Sequence, residues 1–190
     1  MISYKQSRQI LKKSLIKIKD EYIRSDDSLN RVSSTNIIST TNYPSANNTA
    51  FDGFAVCSKD TKDLNKNNSR KFKIVGSIIP GNKPITKKIK KFDAMEIMTG
   101  GVIAKPFDTI IPIEQIIFYP NKKKAKYIVI NKKIKKNMHV RFLGSDYKKN
   151  DLVIKKGSII YPNHILALKA LGIKKIKVKK KLNILFFSTG

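Results

Sequence analysis

The sequence has little that reacts or crosslinks: one cysteine, Cys57, and two histidines, His139 and His164, in 190 residues. A single thiol excludes a disulfide framework, and two imidazoles without partner cysteines exclude the common zinc spacings. Such thiol usage fits the cytoplasm. Glycine and proline are also few, at 9 and 7 residues, against 41% hydrophobic residues. That balance excludes a disordered tail, because enough apolar surface exists to offset the entropy of ordering the chain. No apolar run approaches the roughly 18 residues that a bilayer span needs. The N-terminus interleaves Lys with Ile and Leu, so it lacks the uninterrupted apolar stretch of an export signal. The length suffices for one or two modest domains and excludes a large enzyme.

Acidic residues are scarce too: 13 against 40 basic ones, a formal charge of +27. A charge of this size predicts a strong field and salt-sensitive attraction of anions. Only Arg8, Arg24, Arg31, Arg70 and Arg141 are arginines, however, while Lys, Ile and Asn are abundant throughout. That is what compositional drift produces, and it loads solvated faces with lysine. Stacking aromatics and bidentate arginines are nowhere concentrated, so a nucleic-acid partner is not favoured. A solvated surface is the leading reading, and attraction of a small anionic substrate is another.

Tyr4, Leu11, Leu15, Ile18 and Tyr22 fall on one stripe at helical spacing, which predicts an amphipathic helix ended by Ser25, Asp26 and Asp27. From about residue 32 to 135 the period changes to short β-type runs: 31–38, 51–57, 71–79, 94–98, 109–118 and 127–130. A small, mostly antiparallel β domain follows, with 58–70 as a polar loop and Tyr119-Pro120-Asn121 as a hairpin end. Leu152 to Ile154, then Lys155-Lys156-Gly157, then Ser158 to Tyr161 read as strand, turn and strand. A helix comes next, with Asn163 at its N-cap, Ile165, Leu166, Leu168 and Leu171 on its apolar face, and Gly172 at its C-terminal end. Ile173 to Val178 reads as a further strand. Leu182 to Phe187 reads as a buried parallel strand, which needs neighbours on both sides. The expectation is that the chain is the front part of a longer protein.

Two stretches carry candidate chemistry. In Asn48-Thr49-Ala50-Phe51-Asp52-Gly53-Phe54-Ala55-Val56, an Asp-Gly sits in an aromatic setting. This is either a hairpin turn or an acidic site residue at a loop edge. In Ile97-Met98-Thr99-Gly100-Gly101, a strand runs into small residues whose amides could approach an oxyanion, with the Thr99 hydroxyl beside them; a plain glycine turn is the default reading. Glu114-Gln115 places a carboxylate in a β run, and Arg141-Phe142-Leu143-Gly144-Ser145-Asp146 offers an arginine and a carboxylate around a glycine. Surface ion pairs are the default for both.

Taken in order, these segments resemble the N-terminal part of the molybdopterin molybdenumtransferase family, MoeA in bacteria and the E domain of gephyrin in animals. Residues 48–56 look like the family's N-S-A-M-D-G-Y-A-V, Ile97 to Gly100 matches I-M-T-G, and Glu114-Gln115 fits its E-Q. Arg141 to Asp146 fits R-x-x-G-E-D, and Phe187-Ser188-Thr189-Gly190 matches F-S-T-G. Thr49, Phe51, Phe54, Gly101 and Ser145 depart from the family's Ser, Met, Tyr, Ala and Glu.

The resemblance implies an α+β, multidomain fold. A β-rich domain at 41–135 would be inserted in an elongated domain made of 1–40 and 136–178, with 179–190 opening an α/β molybdopterin-binding domain. It implies insertion of molybdate into adenylylated molybdopterin with release of AMP, by a cytoplasmic homodimer using Mg²⁺, without a membrane. Asp52 and Thr99 become the catalytic candidates. Asp52 and Asp146 become metal ligands, and Asn48, Thr49, Gly53, Gly100, Gly101, Glu114, Arg141, Asp146, Ser188, Thr189 and Gly190 become substrate contacts. The rivals are a basic nucleic-acid-binding protein and a non-catalytic dimerising homologue.

Overall fold

The structure is a computed structural model that describes residues 2–14, 17–82 and 88–188. The chain runs α1 (Tyr4–Lys13), β1 (Asp20–Arg24), β2 (Ile37–Ile38), β3 (Asn48–Thr49), β4 (Gly53–Val56), β5 (Arg70–Ile78), β6 (Asp93–Ile97), β7 (Thr109–Pro112), β8 (Ile117–Tyr119), β9 (Tyr127–Ile130), β10 (Val140–Arg141), β11 (Leu152–Ile154), α2 (Pro162–Ala170) and β12 (Lys175–Lys179). It divides into two compact units, one of residues 1–40 with 150–190 and one of residues 41–149. The mixed α+β class is as expected. The boundary differs from the expected 135/136: residues 136–149 join the β-rich unit. The Thr109 hydroxyl donates to the Lys135 and Met138 carbonyls (2.9 and 3.3 Å), and β10 pairs with β3.

In the first unit, β1 pairs antiparallel with β12 from Asp20↔Lys179 to Arg24↔Lys175, and β2 pairs antiparallel with β11. The predicted N-terminal helix is shorter than its apolar stripe. Ser14 ends α1, its N–H reaching the Ile10 and Leu11 carbonyls. Tyr22 lies on β1 opposite Lys177, where cross-strand hydrogen bonds outcompete helical periodicity; Leu15 is outside the described residues. α2 starts two residues earlier than an Asn163 cap would place it. Tyr161 is the N-cap, Pro162 takes the first turn where no N–H is needed, and the His164 side chain accepts the Tyr161 N–H at 3.1 Å. Gly172, at φ +69°, closes the other end. Ile37, Ile154, Ile160, Leu168, Ile176 and Val178 form the core.

Leu168 is fully buried in that cluster. Leu168→Ala is expected to destabilise this unit by about 2–5 kcal/mol, read as an earlier urea transition. Leu182 to Phe187 forms no strand. Phe186 and Phe187 are 89% and 84% exposed, because among the described residues no strand pairs with them to cover the two faces an apolar strand needs.

In the second unit, six strands follow the order β7-β4-β6-β5-β9-β8. All neighbours are antiparallel except β5 and β6. The expected 109–118 run is two strands, broken by a helical turn at Ile113–Gln115. β4 is buried at every position because both of its faces are covered. Phe54 and Val56 join Phe72, Ile128 and Ile134 on one side, and Ala55 joins Met95, Ile97 and Ile110 on the other. The alternating pleat thus feeds two apolar clusters from one central strand.

Candidate active site

Asp52 sits where β3 turns into β4. The Thr49 hydroxyl accepts the Phe51 N–H and donates to the Phe51 carbonyl, both at 3.0 Å, closing the turn ahead of the aspartate. The Asp52 carbonyl then accepts the Ile113 N–H at 2.9 Å, tying this corner to the turn after β7. Gly53 follows because nothing larger fits: a Cβ there would lie 2.1 Å from the Ile111 carbonyl oxygen.

The second half of the site is the turn after β6. The Thr99 N–H and hydroxyl both donate to Asp52 Oδ1, at 2.7 and 2.8 Å. Two donors on one carboxylate oxygen favour the charged form. The Asp52 carboxyl is accordingly held below its usual value, first by the Thr99 N–H and then by its hydroxyl, against a small opposing effect of burial. The glycines make the plain turn that the residues alone favour, not the oxyanion cradle of the other reading. The Gly100 N–H donates to the Thr49 carbonyl and the Gly101 N–H to the Met98 carbonyl, both at 2.8 Å. Those amides close the turn and lock it onto β3, and Gly100 takes φ +83° to do so.

β10 brings up the third segment, with Val140 opposite Thr49 and Arg141 opposite Asn48; Asn48 also bridges to Val102. Asn48, Thr49, Asp52, Gly53, Thr99, Gly100, Gly101 and Arg141 are therefore brought together by strand pairing. Arg141 is ion-paired with Asp146 and lies over the Tyr43 ring, 5.6 Å from its centroid. Ser145 donates to the other Asp146 oxygen at 3.1 Å. Both Asp146 oxygens are thus engaged by this loop. Glu114 is exposed on the Ile113–Gln115 turn and reaches the neighbourhood through its neighbour Ile113. Ser188 is exposed in the other unit, and Thr189 and Gly190 lie outside the described residues.

The fit of a Mg²⁺ ion can be judged from these donors. Among the described residues no group of three His, Cys, Asp or Glu side chains is placed to hold a metal. Asp52 offers one carboxylate, and Asp146 is committed to Arg141 and Ser145. The expected Asp52–Asp146 metal pair does not fit the site as built.

Sequence reasoning passed over His139. Its ring packs edge-on against Phe51 with centroids 4.7 Å apart, its φ is +58°, and its Nε2 is buried without a hydrogen-bond partner. Asn48 Oδ1 is in the same condition. A lone histidine in a lysine-rich stretch gives no periodic signal, so only the fold reveals it beside the Asp52 turn.

Residues 2–172 match the family described as the MoeA N-terminal region (domain I and II), and the chain belongs to that family. It is similar to the molybdopterin molybdenumtransferase of Haemophilus influenzae, 30% identical over 191 residues, covering 100% of this chain and 45% of that protein. The corresponding Staphylococcus epidermidis protein is 29% identical over 189 residues, with 44% of its length covered. A crystal structure of the molybdopterin biosynthesis MoeA protein from Pyrococcus horikoshii superposes with a TM-score of 0.79 at 25% identity. It covers 94% of this chain and 46% of that one. The chain thus spans less than half the length of the relatives it matches. Among the described residues, no helix is long and apolar enough to cross a membrane.

Proposed function

We propose that this chain contributes to the reaction its relatives are named for: molybdenum is transferred to molybdopterin by insertion of molybdate into the adenylylated pterin, with release of AMP. Asp52 is the residue that carries it. The observation behind this reading is the pair of Thr99 bonds to one oxygen of an exposed aspartate at a corner of the sheet.

A carboxylate held ionised in this way is a poor proton donor near neutral pH. It is suited instead to accepting hydrogen bonds from, or orienting, a water or a protonated oxygen on the incoming oxyanion. Thr99 fixes the carboxylate's rotamer, and the Gly100 and Gly101 amides fix Thr99. Arg141, paired with Asp146, keeps the neighbouring loop closed. The same reading carries a cytoplasmic homodimer. It also carries inactivity of the 190-residue chain alone, since the relatives have more than half their length outside the matched part.

The test uses a full-length enzyme carrying this segment in a cell deficient in molybdenum cofactor. Thr99→Ala removes the hydroxyl and leaves the backbone donor, so rescue is expected to fail or fall steeply while the protein stays folded. Undiminished rescue by a folded Thr99→Ala protein overturns the assignment.

A further inference from the structure

The cleft beside β7 and β10 is lined by Lys59, Lys105 and Lys136, with Ile103, Pro106 and Val140 on its walls. The three lysines come from separate segments: the helical turn Ser58–Thr61, the loop before β7, and the loop after β9.

Asp108 stitches these segments together. Its carboxylate takes the Ser58 N–H at 2.7 Å and the Ser58 hydroxyl at 2.8 Å, and its carbonyl takes the Asn137 N–H at 2.8 Å. Ile134, two residues before Lys136, is pinned in the core, its N–H donating to the Thr61 hydroxyl at 2.9 Å. The backbone segments that carry the three lysines are therefore held together by hydrogen bonds.

Their charge is only partly compensated. Asp108 lines the cleft, yet both of its oxygens face Ser58. Among the described residues, none of the three lysines is ion-paired with a carboxylate. Two basic depressions in the other unit behave differently. In one, Asp26 pairs with Arg24 and Lys169; in the other, Asp20 pairs with Lys179 and with Lys177. A concave site with an excess of positive charge and apolar walls focuses its field on a small anion.

We propose that this cleft is a second anion site, separate from Asp52 and Thr99, for a small molecule bearing at least two linked phosphate groups. Lysine ammoniums are point charges that suit clustered phosphate oxygens, and three of them exceed what one phosphate needs. The cleft would bind such an anion whether or not the molybdenum-transfer reading holds.

The experiment titrates the 190-residue chain with inorganic pyrophosphate and with ADP at fixed ionic strength, followed by calorimetry. Two triple variants are compared. Lys59→Gln/Lys105→Gln/Lys136→Gln empties the cleft of cations, and Lys122→Gln/Lys123→Gln/Lys124→Gln removes the same charge from an exposed turn elsewhere. The first is expected to weaken pyrophosphate binding at least tenfold, and the second less than twofold. ADP binding tighter than pyrophosphate identifies an organic phosphate that uses the apolar walls, while equal binding identifies the phosphates alone. Equal weakening by both triple variants, or no saturable binding by the parent chain, overturns the proposal. So does loss of binding on Asp52→Asn, which would place the anion at the other site. All replaced lysines are exposed, so the variants should fold; an unchanged thermal transition checks this, and Lys105→Gln alone serves if the triple variant is unstable.

Discussion

Asp52→Asn in a full-length enzyme carrying this segment is expected to cut cofactor formation by about 10²- to 10³-fold, with the fold intact. The substitution keeps the shape of the side chain. Its amide oxygen can still accept the Thr99 N–H and hydroxyl, so the turn between β3 and β4 should persist. What disappears is the negative charge, and with it the charge-assisted strength of both bonds. A carboxylate with a catalytic or orienting role loses activity on this change; a carboxylate that only closes a turn does not.

The pH dependence provides an independent check. Because Thr99 lowers the folded-state pKa of Asp52, the stabilisation it gives is complete above the unfolded-state value near pH 4. It is lost as the pH falls through the lower, folded-state value. The difference in stability between the parent and Asp52→Asn should therefore be constant from neutral pH to about 5 and shrink below about 4. A difference that persists unchanged at pH 2 would mean that the charge was not what Thr99 stabilises. Full activity of a folded Asp52→Asn enzyme would remove Asp52 from the mechanism altogether.

The motifs around Asp52, Thr99 and Arg141 were legible because each is a local pattern, an Asp-Gly or Thr-Gly-Gly turn at the end of an apolar run, and together they followed a recognisable order. Strand existence was legible for the same reason. β9 (Tyr127–Ile130) stands where its apolar run lies, and β5 and β6 are displaced by one residue at each end. What local pattern cannot report is which hydrogen bonds a group will be assigned. In one dimension Gly100 and Gly101 fit both a plain turn and donors for a ligand. In three dimensions, the carbonyls of Thr49 and Met98 are already there to take them. The N-terminal stripe failed similarly: Tyr22 satisfies a helical period, yet β12 offers it a full strand partner, and tertiary pairing overrides periodicity. Asp146 reads as half of a surface ion pair with Arg141, and the fold forms that pair; it is the metal-ligand role implied by the resemblance that the fold's pairing opposes. His139 had no pattern to be found by.

The largest structural effect is expected from Gly53→Ala. The first residue of β4 lies between Pro112 on β7 and Ile97 on β6, so both neighbours are backbone that cannot swing aside as a side chain could. An added Cβ would meet the Ile111 carbonyl oxygen at 2.1 Å, its carbon at 2.9 Å and the Pro112 Cα at 3.0 Å. Relief requires parting β4 from β7, which costs ladder hydrogen bonds and loosens Phe54 and Ile111, neighbours in one apolar cluster. Overpacking of this kind costs about 3 kcal/mol when rigid atoms must move, and the lost ladder bonds add about 1 kcal/mol each. The urea transition of the β-rich unit should move markedly lower, while that of the other unit stays in place. Activity should fall with it even at temperatures where the variant is folded, because parting β4 from β7 also moves the Ile113 N–H away from the Asp52 carbonyl and frees the turn that presents the carboxylate. Gly81→Ala is the control: its φ of +81° strains a side chain placed there, but its Cβ would meet nothing within 4 Å. It should cost about 1 kcal/mol. If the two variants proved equally stable, the close approach of β4 to β7 would not be what requires glycine at position 53.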